Sequence, residues 1–129
     1  PESLLQPKRF YRVVVQDGGS IQAGDTTITL AGIDVEGLTE KCEDSRGQAW
    51  PCGRFARSAL TRLIRGRAVR CSVPAAGEDT NLTARCAVGG KDLSLWMVTH
   101  GWAKPKAPAS TALTEAAETA QERRLGIWR

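Results

Sequence analysis

Few side chains in this sequence are of types that do chemistry unaided. There is one histidine, His100, and there are four cysteines, Cys42, Cys52, Cys71 and Cys86. No Cys-x-x-Cys pair occurs and His100 has no second ligand at metal-binding spacing, so a tetrahedral zinc site is not indicated. His100 closes an apolar run just before Gly101 and reads as a helix-end residue at the negative pole of the helix dipole. Arg54, Arg57 and Arg65 recur at helical spacing; they offer guanidinium groups to phosphates or other polyanions, or form a solvated face. Asp34 follows a strand-like run and opens a loop. A single carboxylate is a poor seat for a hard cation, which collects about six to eight oxygens.

The elements that must position these groups begin with a meander. Phe10 to Val15 reads as a first strand, Gly18-Gly19 as a tight turn, Ala23-Gly24-Asp25 as a second turn, and Ile28 and Leu30 alternate toward Asp34. Glu36 to Pro51 reads as an irregular loop. Gly53 to Arg65 is the clearest helix, with Phe55, Ala56, Ala59, Leu60, Leu63 and Ile64 on one face, Arg54, Arg57, Thr61 and Arg65 on the other, and Gly66 as its stop. Ala68 to Val73 and Thr83 to Val88 read as two more strands joined by a polar loop. Leu93 to His100 is a short helix burying Leu93, Trp96 and Met97. Lys104 to Ala109 reads as a stiff linker, and Ser110 caps a last helix that runs to Leu125. The four tryptophans sit at element ends beside apolar residues, as core anchors or lids.

A chain of 129 residues, 41% hydrophobic and 25% charged, has the size and composition of one soluble domain. Residues 1–9 read as an N-terminal extension and 10–129 as the domain. The net charge of +4 permits an acidic partner without requiring one. No run approaches the roughly 18 apolar residues of a membrane span. No leader is visible, and Pro1-Glu2-Ser3 reads as a mature or trimmed start.

Four cysteines allow three pairings. Cys71 and Cys86 lie in consecutive strand-like runs and would face each other across a hairpin. Cys42 and Cys52 would then close the loop between them. Two such bridges imply an oxidising compartment. The other reading is four buried free thiols in a cytosolic protein.

The layout resembles the staphylococcal nuclease-like (thermonuclease) family. Leu30-Ala31-Gly32-Ile33-Asp34 matches that family's strand-to-loop block. Trp50-Pro51-Cys52-Gly53, leading into an Ala-rich amphipathic helix, looks like exported bacterial members. Asp92-Leu93-Ser94, Gly101-Trp102-Ala103 and Leu125-Gly126-Ile127-Trp128 resemble its Asp-Leu-Asn, Gly-Trp-Ala and Gly-Ile-Trp blocks. The likeness runs from Tyr11 to Trp128. It implies an α+β domain built as a five-stranded OB-fold barrel with three helices, an order that the sequence pattern alone suggests only faintly.

Active members cut phosphodiesters with a calcium ion held by two aspartates, a glutamate that serves the attacking water, and two arginines, because charge growing on the phosphorus oxygens must be neutralised. Carried across residue by residue, most of that set is missing. The second aspartate of Asp-Gly-Asp-Thr becomes Gly19 and the threonine becomes Ser20. One arginine becomes Thr29 and the other falls at Asn81. The glutamate slot holds Gly37, and the nucleotide-pocket tyrosines become Ala107 and Ala109. Asp34 survives as the one metal-ligand position. Asp17 and Glu36 are neighbouring carboxylates, and Arg85 lies four residues beyond the lost arginine, about 13 Å along a strand.

The resemblance therefore implies a degenerate, non-enzymatic module, periplasmic or secreted, that binds a macromolecule: nucleic acid, polysaccharide or protein. Some bacterial members of the family accompany exopolysaccharide biosynthesis. No cofactor is expected, apart from calcium if the site is partly retained. The absence of stacking tyrosines argues against nucleic acid. Two alternatives are a rewired calcium-dependent nuclease using Asp17, Asp34 and Glu36 on single-stranded DNA or RNA, and a purely structural, self-associating domain. The partner and the oligomeric state are not legible in the sequence.

Overall fold

The computed structural model describes residues 4–75 and 80–129. The start, residues 1–3, and residues 76–79 of the polar loop before Thr83 lie outside them. In chain order the strands are β1 (Leu5–Phe10), β2 (Val14–Asp17), β3 (Ser20–Ala23), β4 (Thr26–Leu30), β5 (Ile33–Val35), β6 (Cys42–Glu43) and β7 (Ala49–Trp50). Helix α1 (Cys52–Ile64) follows, then β8 (Val69–Pro74), β9 (Asn81–Ala84), β10 (Cys86–Val88) and β11 (Lys91–Asp92). Helix α2 (Leu93–Thr99), β12 (Ala103–Pro105), helix α3 (Thr111–Glu122) and a single 3-10 turn (Gly126–Trp128) complete the chain.

Two four-stranded sheets hold the core. One has the order β2-β3-β4-β9, with β4 and β9 parallel, and the other has the order β1-β8-β10-β11. The pairs β5/β12 and β6/β7 stand apart. The architecture is α+β with three helices, as expected, but among the described residues the strands do not join into one closed barrel. Alternation decides which side chains go inside. Ile21, Ile28 and Leu30 of the first sheet and Val69 and Val88 of the second are essentially inaccessible, and they meet Leu60 of α1 and Leu93, Met97 and Val98 of α2.

Several elements differ from the sequence reading, each for a physical reason. Leu5–Phe10 forms a strand antiparallel to β8, with Lys8 opposite Cys71 and Phe10 opposite Val69. Only Phe10 of its six residues is buried, so the stretch carries no alternation signal. The strand expected over Phe10–Val15 is broken at Arg12, whose φ is +55°. Thr83–Val88 is split into β9 and β10 at Arg85, which leaves the ladder and bonds Asp92 at 3.1 Å. The Lys104–Ala109 linker begins as β12, with Lys104 opposite Asp34. The loop expected over Glu36–Pro51 contains the short β6/β7 pair. Helix α3 ends at Glu122 rather than Leu125, with Ser110 capping Leu113 as expected.

Helix α1 is the element the pattern read best. Ala56, Ala59, Leu60, Leu63 and Ile64 are buried, and Arg65 and Gly66, both left-handed, end it. Phe55 is the exception: it is 45% exposed and packs edge-on against Trp50, with centroids 5.4 Å apart. The cysteines pair as Cys42–Cys52 and Cys71–Cys86, the second directly across β8 and β10 with Cα atoms 4.0 Å apart. No helix among the described residues is long and apolar enough to cross a membrane.

Candidate functional site

The β2–β3 hairpin sets the first corner. Asp17 Oδ1 accepts hydrogen bonds from the Gly19 N–H at 2.8 Å and from the Ser20 hydroxyl at 2.9 Å, so this carboxylate is spent on its own turn. The two glycines between them are there for closeness. A Cβ on Gly18 would sit 2.7 Å from Cβ of Ala56 in α1. A Cβ on Gly19 would sit 3.0 and 3.1 Å from the two Val35 methyls of β5. Gly19 is buried, and the space in front of it is filled by Val35.

Asp34 lies on β5 next to that valine, exposed, in register with Lys104. Glu36 is half-buried, and its carboxylate comes within 4.8 Å of both Sγ atoms of the Cys42–Cys52 disulfide. Among the described residues this is the only group of three or more potential metal-ligating side chains drawn so closely together, and neither Asp17 nor Asp34 is in it. The two sulfurs are bonded to each other, which removes them as thiolate ligands. Gly37 faces the start of α1: its carbonyl accepts from the Glu40 N–H at 2.9 Å, and a Cβ on Gly53 would overlap its oxygen. The Gly53 N–H in turn donates to the Glu40 carbonyl at 3.2 Å. The loop that begins at Gly37 is therefore clamped to the helix through backbone contacts.

Thr29 and Asn81 share the outer face of the β2-β3-β4-β9 sheet. Thr29 stands opposite Ser20 on one side and Thr83 on the other, and Asn81 stands opposite Thr27. Since directly paired residues project to the same side, Ser20, Gln22, Thr27, Thr29, Asn81 and Thr83 form one continuous surface of hydroxyls and amides. Those six side chains are neutral, and β2 adds exposed Val14 opposite Gln22 and the Asp17 carboxylate opposite Ser20. Arg85 does not extend onto this surface and instead ties β9 to the start of α2 through Asp92, whose other oxygen accepts from the Leu95 N–H at 2.9 Å. Ala107 and Ala109 are exposed methyls. His100 is engaged at the end of α2, with Nδ1 2.9 Å from the Trp96 carbonyl and its ring stacked 3.9 Å from that indole.

Arg54, Arg57 and Arg65 are all exposed along α1, as the helical spacing implied. Arg54 and Arg57 border an open groove of about 690 Å³, shared with Leu38, Ser58, Thr61 and Arg62. Arg62 was missed by the sequence reading; its position four residues after Ser58 is the signal that would have found it. A second feature was legible only as scattered aromatics. Trp50, Phe55 and Trp102 make mutual edge and tilted contacts, and the Arg129 guanidinium lies over Trp50 with its carbon 4.0 Å from the ring centroid. The 3-10 turn that delivers Arg129 is held to Gly101, whose carbonyl accepts from the Ile127 N–H at 2.8 Å.

A family model for staphylococcal nuclease homologues matches residues 27–129. The succinoglycan biosynthesis protein ExoI of Rhizobium meliloti (strain 1021) is 28% identical over 118 residues, covering 89% of this chain and 62% of that protein. The chain thus spans less than two-thirds of the length of this relative.

Proposed function

Because the chain belongs to the staphylococcal nuclease homologues, a family whose active members are calcium-dependent nucleases, we propose that it keeps the fold without the hydrolysis and serves as an exported binding module in polysaccharide assembly. The observation that carries the first half is the packing at Gly19. Where an active member places a metal-binding aspartate, a Cβ here would meet the Val35 methyls at 3.0 and 3.1 Å, tight enough that Val35 must give way for any side chain.

The residues present fit calcium poorly. The ion collects about six to eight oxygens, whereas Asp17 is engaged by its own turn, Asp34 stands exposed on β5, and Glu36 lies beside a disulfide. The positions of the two arginines hold Thr29 and Asn81, which supply no positive charge to a phosphorane. Loss of one charge-stabilising donor commonly costs about 10²–10³ in rate, and here both arginines, one aspartate and the glutamate are replaced. What remains on the former catalytic face is an array of hydroxyls and amides with the Asp17 carboxylate at its edge, suited to hydrogen bonding with a polyhydroxylated polymer.

The polysaccharide half draws on the resemblance to ExoI, whose name places it in succinoglycan biosynthesis. Export is supported by two disulfides, three of whose four sulfurs belong to residues that are at most 2% exposed. The test is digestion of heat-denatured DNA with millimolar calcium, beside an active family member and a chelated control. No cleavage at high protein concentration is expected. Calcium-dependent cleavage that vanishes in Asp34→Ala would overturn the reading in favour of a rebuilt nuclease centred on Asp34 and Glu36.

A further inference from the structure

The charge of this chain is unevenly placed. Residues 52–67 contain Arg54, Arg57, Arg62, Arg65 and Arg67 and no acidic residue, while the whole chain carries +4, so everything outside that stretch sums to −1. The structure lays the five side chains along one edge of the molecule. The groove bordered by Arg54, Arg57 and Arg62 is followed by a second of about 490 Å³, bordered by Arg62, Arg65, Arg67 and Lys91. Arg62 borders both, so the two grooves are neighbours along α1. Over 13 residues the helix is about 20 Å long at 1.5 Å per residue.

Helix physics does not ask for this arrangement. The N-terminus of a helix is its positive pole and favours acidic side chains. Here the first turn holds no acid and carries Arg54, with Arg57 one turn on. Arg54 and Arg57, and Arg62 and Arg65, are like charges three residues apart, which also works against the helix. At the other end Arg62 in the last turn and Arg65 at the C-cap suit the negative pole of the helix, and the Arg67 guanidinium donates to the Leu63 and Ile64 carbonyls. Arg54 and Arg57, kept at the end where they weaken the helix, are relieved by an anion lying along them, which the helix N-terminus also attracts.

Building on the polysaccharide reading above, we propose that the outer face of α1 is the docking strip for a carboxylate-bearing polysaccharide, a site separate from the former catalytic face. Guanidinium groups pair bidentately with carboxylates, and the Ser58 and Thr61 hydroxyls between them suit sugar hydroxyls. No aromatic ring borders either groove, and only a further cavity that shares Leu38 and Arg54 with the first has one, Trp50, so base stacking would be confined to that end. The nearest indole on that side, Trp50, has one face taken by Arg129.

The test is titration of the full disulfide-bonded chain with polygalacturonate oligosaccharides, beside neutral dextran, a single-stranded and a duplex DNA oligonucleotide, at several salt concentrations. Polygalacturonate should bind with an affinity that falls as salt rises, and dextran should bind far more weakly. Arg57→Glu/Arg62→Glu should weaken polygalacturonate binding about tenfold or more, each reversal removing one exposed ion pair and adding a repulsion. Arg123→Glu/Arg124→Glu, the same net-charge change past the end of α3, should leave it within about twofold, the scale of an unscreened long-range effect. Equal losses in the two pairs would mean that net charge alone drives binding and would overturn the strip. So would tighter binding of either DNA than of polygalacturonate, or equal binding of dextran. Should the Glu pair fail to fold, judged by its melting profile, Arg57→Gln/Arg62→Gln carries the same comparison. Failure of polygalacturonate to bind a chain that cleaves no DNA removes this inference and leaves the non-hydrolytic reading standing. Calcium-dependent cleavage removes that reading instead.

Discussion

Placing an aspartate at Gly19, the metal-ligand position that the proposed reading assigns there, is the sharpest perturbation. In Gly19→Asp the new Cβ would meet Val35 Cγ2 at 3.0 Å and Cγ1 at 3.1 Å, at least about 0.4 Å inside the usual 3.5–4.0 Å optimum for two carbons. Both methyls belong to one β-branched residue, so turning χ1 to clear one brings the other into the gap, and χ1 is stiff there. Val35 is also fixed by pairing with Ala103 across β5 and β12. Overpacking of this kind costs about 1–3 kcal/mol, and leaving a carboxylate in a buried position with imperfect partners adds about 1–3 kcal/mol. We expect Gly19→Asp to lose about 2–4 kcal/mol, or on the order of 10 °C in melting temperature for a chain of this length.

Gly19→Ala isolates the steric part. It should cost less, since the smaller unfolded-state entropy of alanine returns about 0.4–1 kcal/mol where the backbone allows it. Adding Val35→Ala to Gly19→Asp should recover about 1–2 kcal/mol relative to the sum of the single changes, the coupling typical of residues in contact. Thermal unfolding followed by circular dichroism, with and without calcium, measures all four proteins. The reasoning is refuted if Gly19→Asp melts with the parent, or if millimolar calcium raises its melting temperature by several degrees. Stabilisation by calcium would mean that the hairpin, β5 and Asp34 still close around an ion.

Three further outcomes are expected. Gly53→Ala places a methyl on the Gly37 carbonyl oxygen; it should cost about 3 kcal/mol or more by overpacking and loss of the loop clamp, read as a shifted urea midpoint at unchanged slope. Ser94→Ala leaves the buried Ala31 carbonyl without the hydroxyl that now donates to it at 2.7 Å, at about 1–3 kcal/mol on the same measurement. Removing either disulfide as an alanine pair should cost about 3 kcal/mol, since the bridged residues are 10 and 15 positions apart and loop entropy changes slowly with length. The Cys71→Ala/Cys86→Ala pair should lose the more, because it also empties sulfur volume from the core between β8 and β10.

What the sequence made legible follows from where periodicity is enforced. Helix α1 packs a continuous apolar face, so its bounds were readable to within a residue, and Phe55 was misassigned because the same spacing also fits an aromatic that leans sideways onto Trp50. Strand β1 left no trace in the pattern: Leu5 to Arg9 are exposed and Pro7 lies within the strand, an arrangement tolerated at a sheet edge and held by pairing with β8. Strand β12 is hidden in the same way by Pro105, and its partner β5 is distant in sequence. At the candidate site, the substitutions at Gly19, Thr29, Gly37 and Asn81 were visible from residue identity. What occupies their space was not. That Val35 covers Gly19, that Glu36 turns toward the disulfide and that Gly37 abuts Gly53 are tertiary facts, set by how β5 and the following loop close over α1.

Two surfaces of one fold thus differ in electrostatic character, one largely of hydroxyls and amides and the other rich in arginine. A phosphodiesterase gathers carboxylates, guanidinium groups and a cation at a single point, because the charge it stabilises appears on one phosphorus centre. Packing like charges that closely weakens the fold, a common trade between activity and stability. At the corresponding point proposed for this chain Val35 packs on Gly19, Asp17 is held by its own turn, and threonine and asparagine stand on the open sheet face. Positive charge is drawn out instead along the 13-residue helix on a different surface. Charge spread at intervals stabilises no transition state, yet it matches a polymer whose own charges recur along its length. On the function proposed above, the distribution of arginine, more than the replacement of aspartate and glutamate, would separate a domain that binds along a chain from a decayed enzyme.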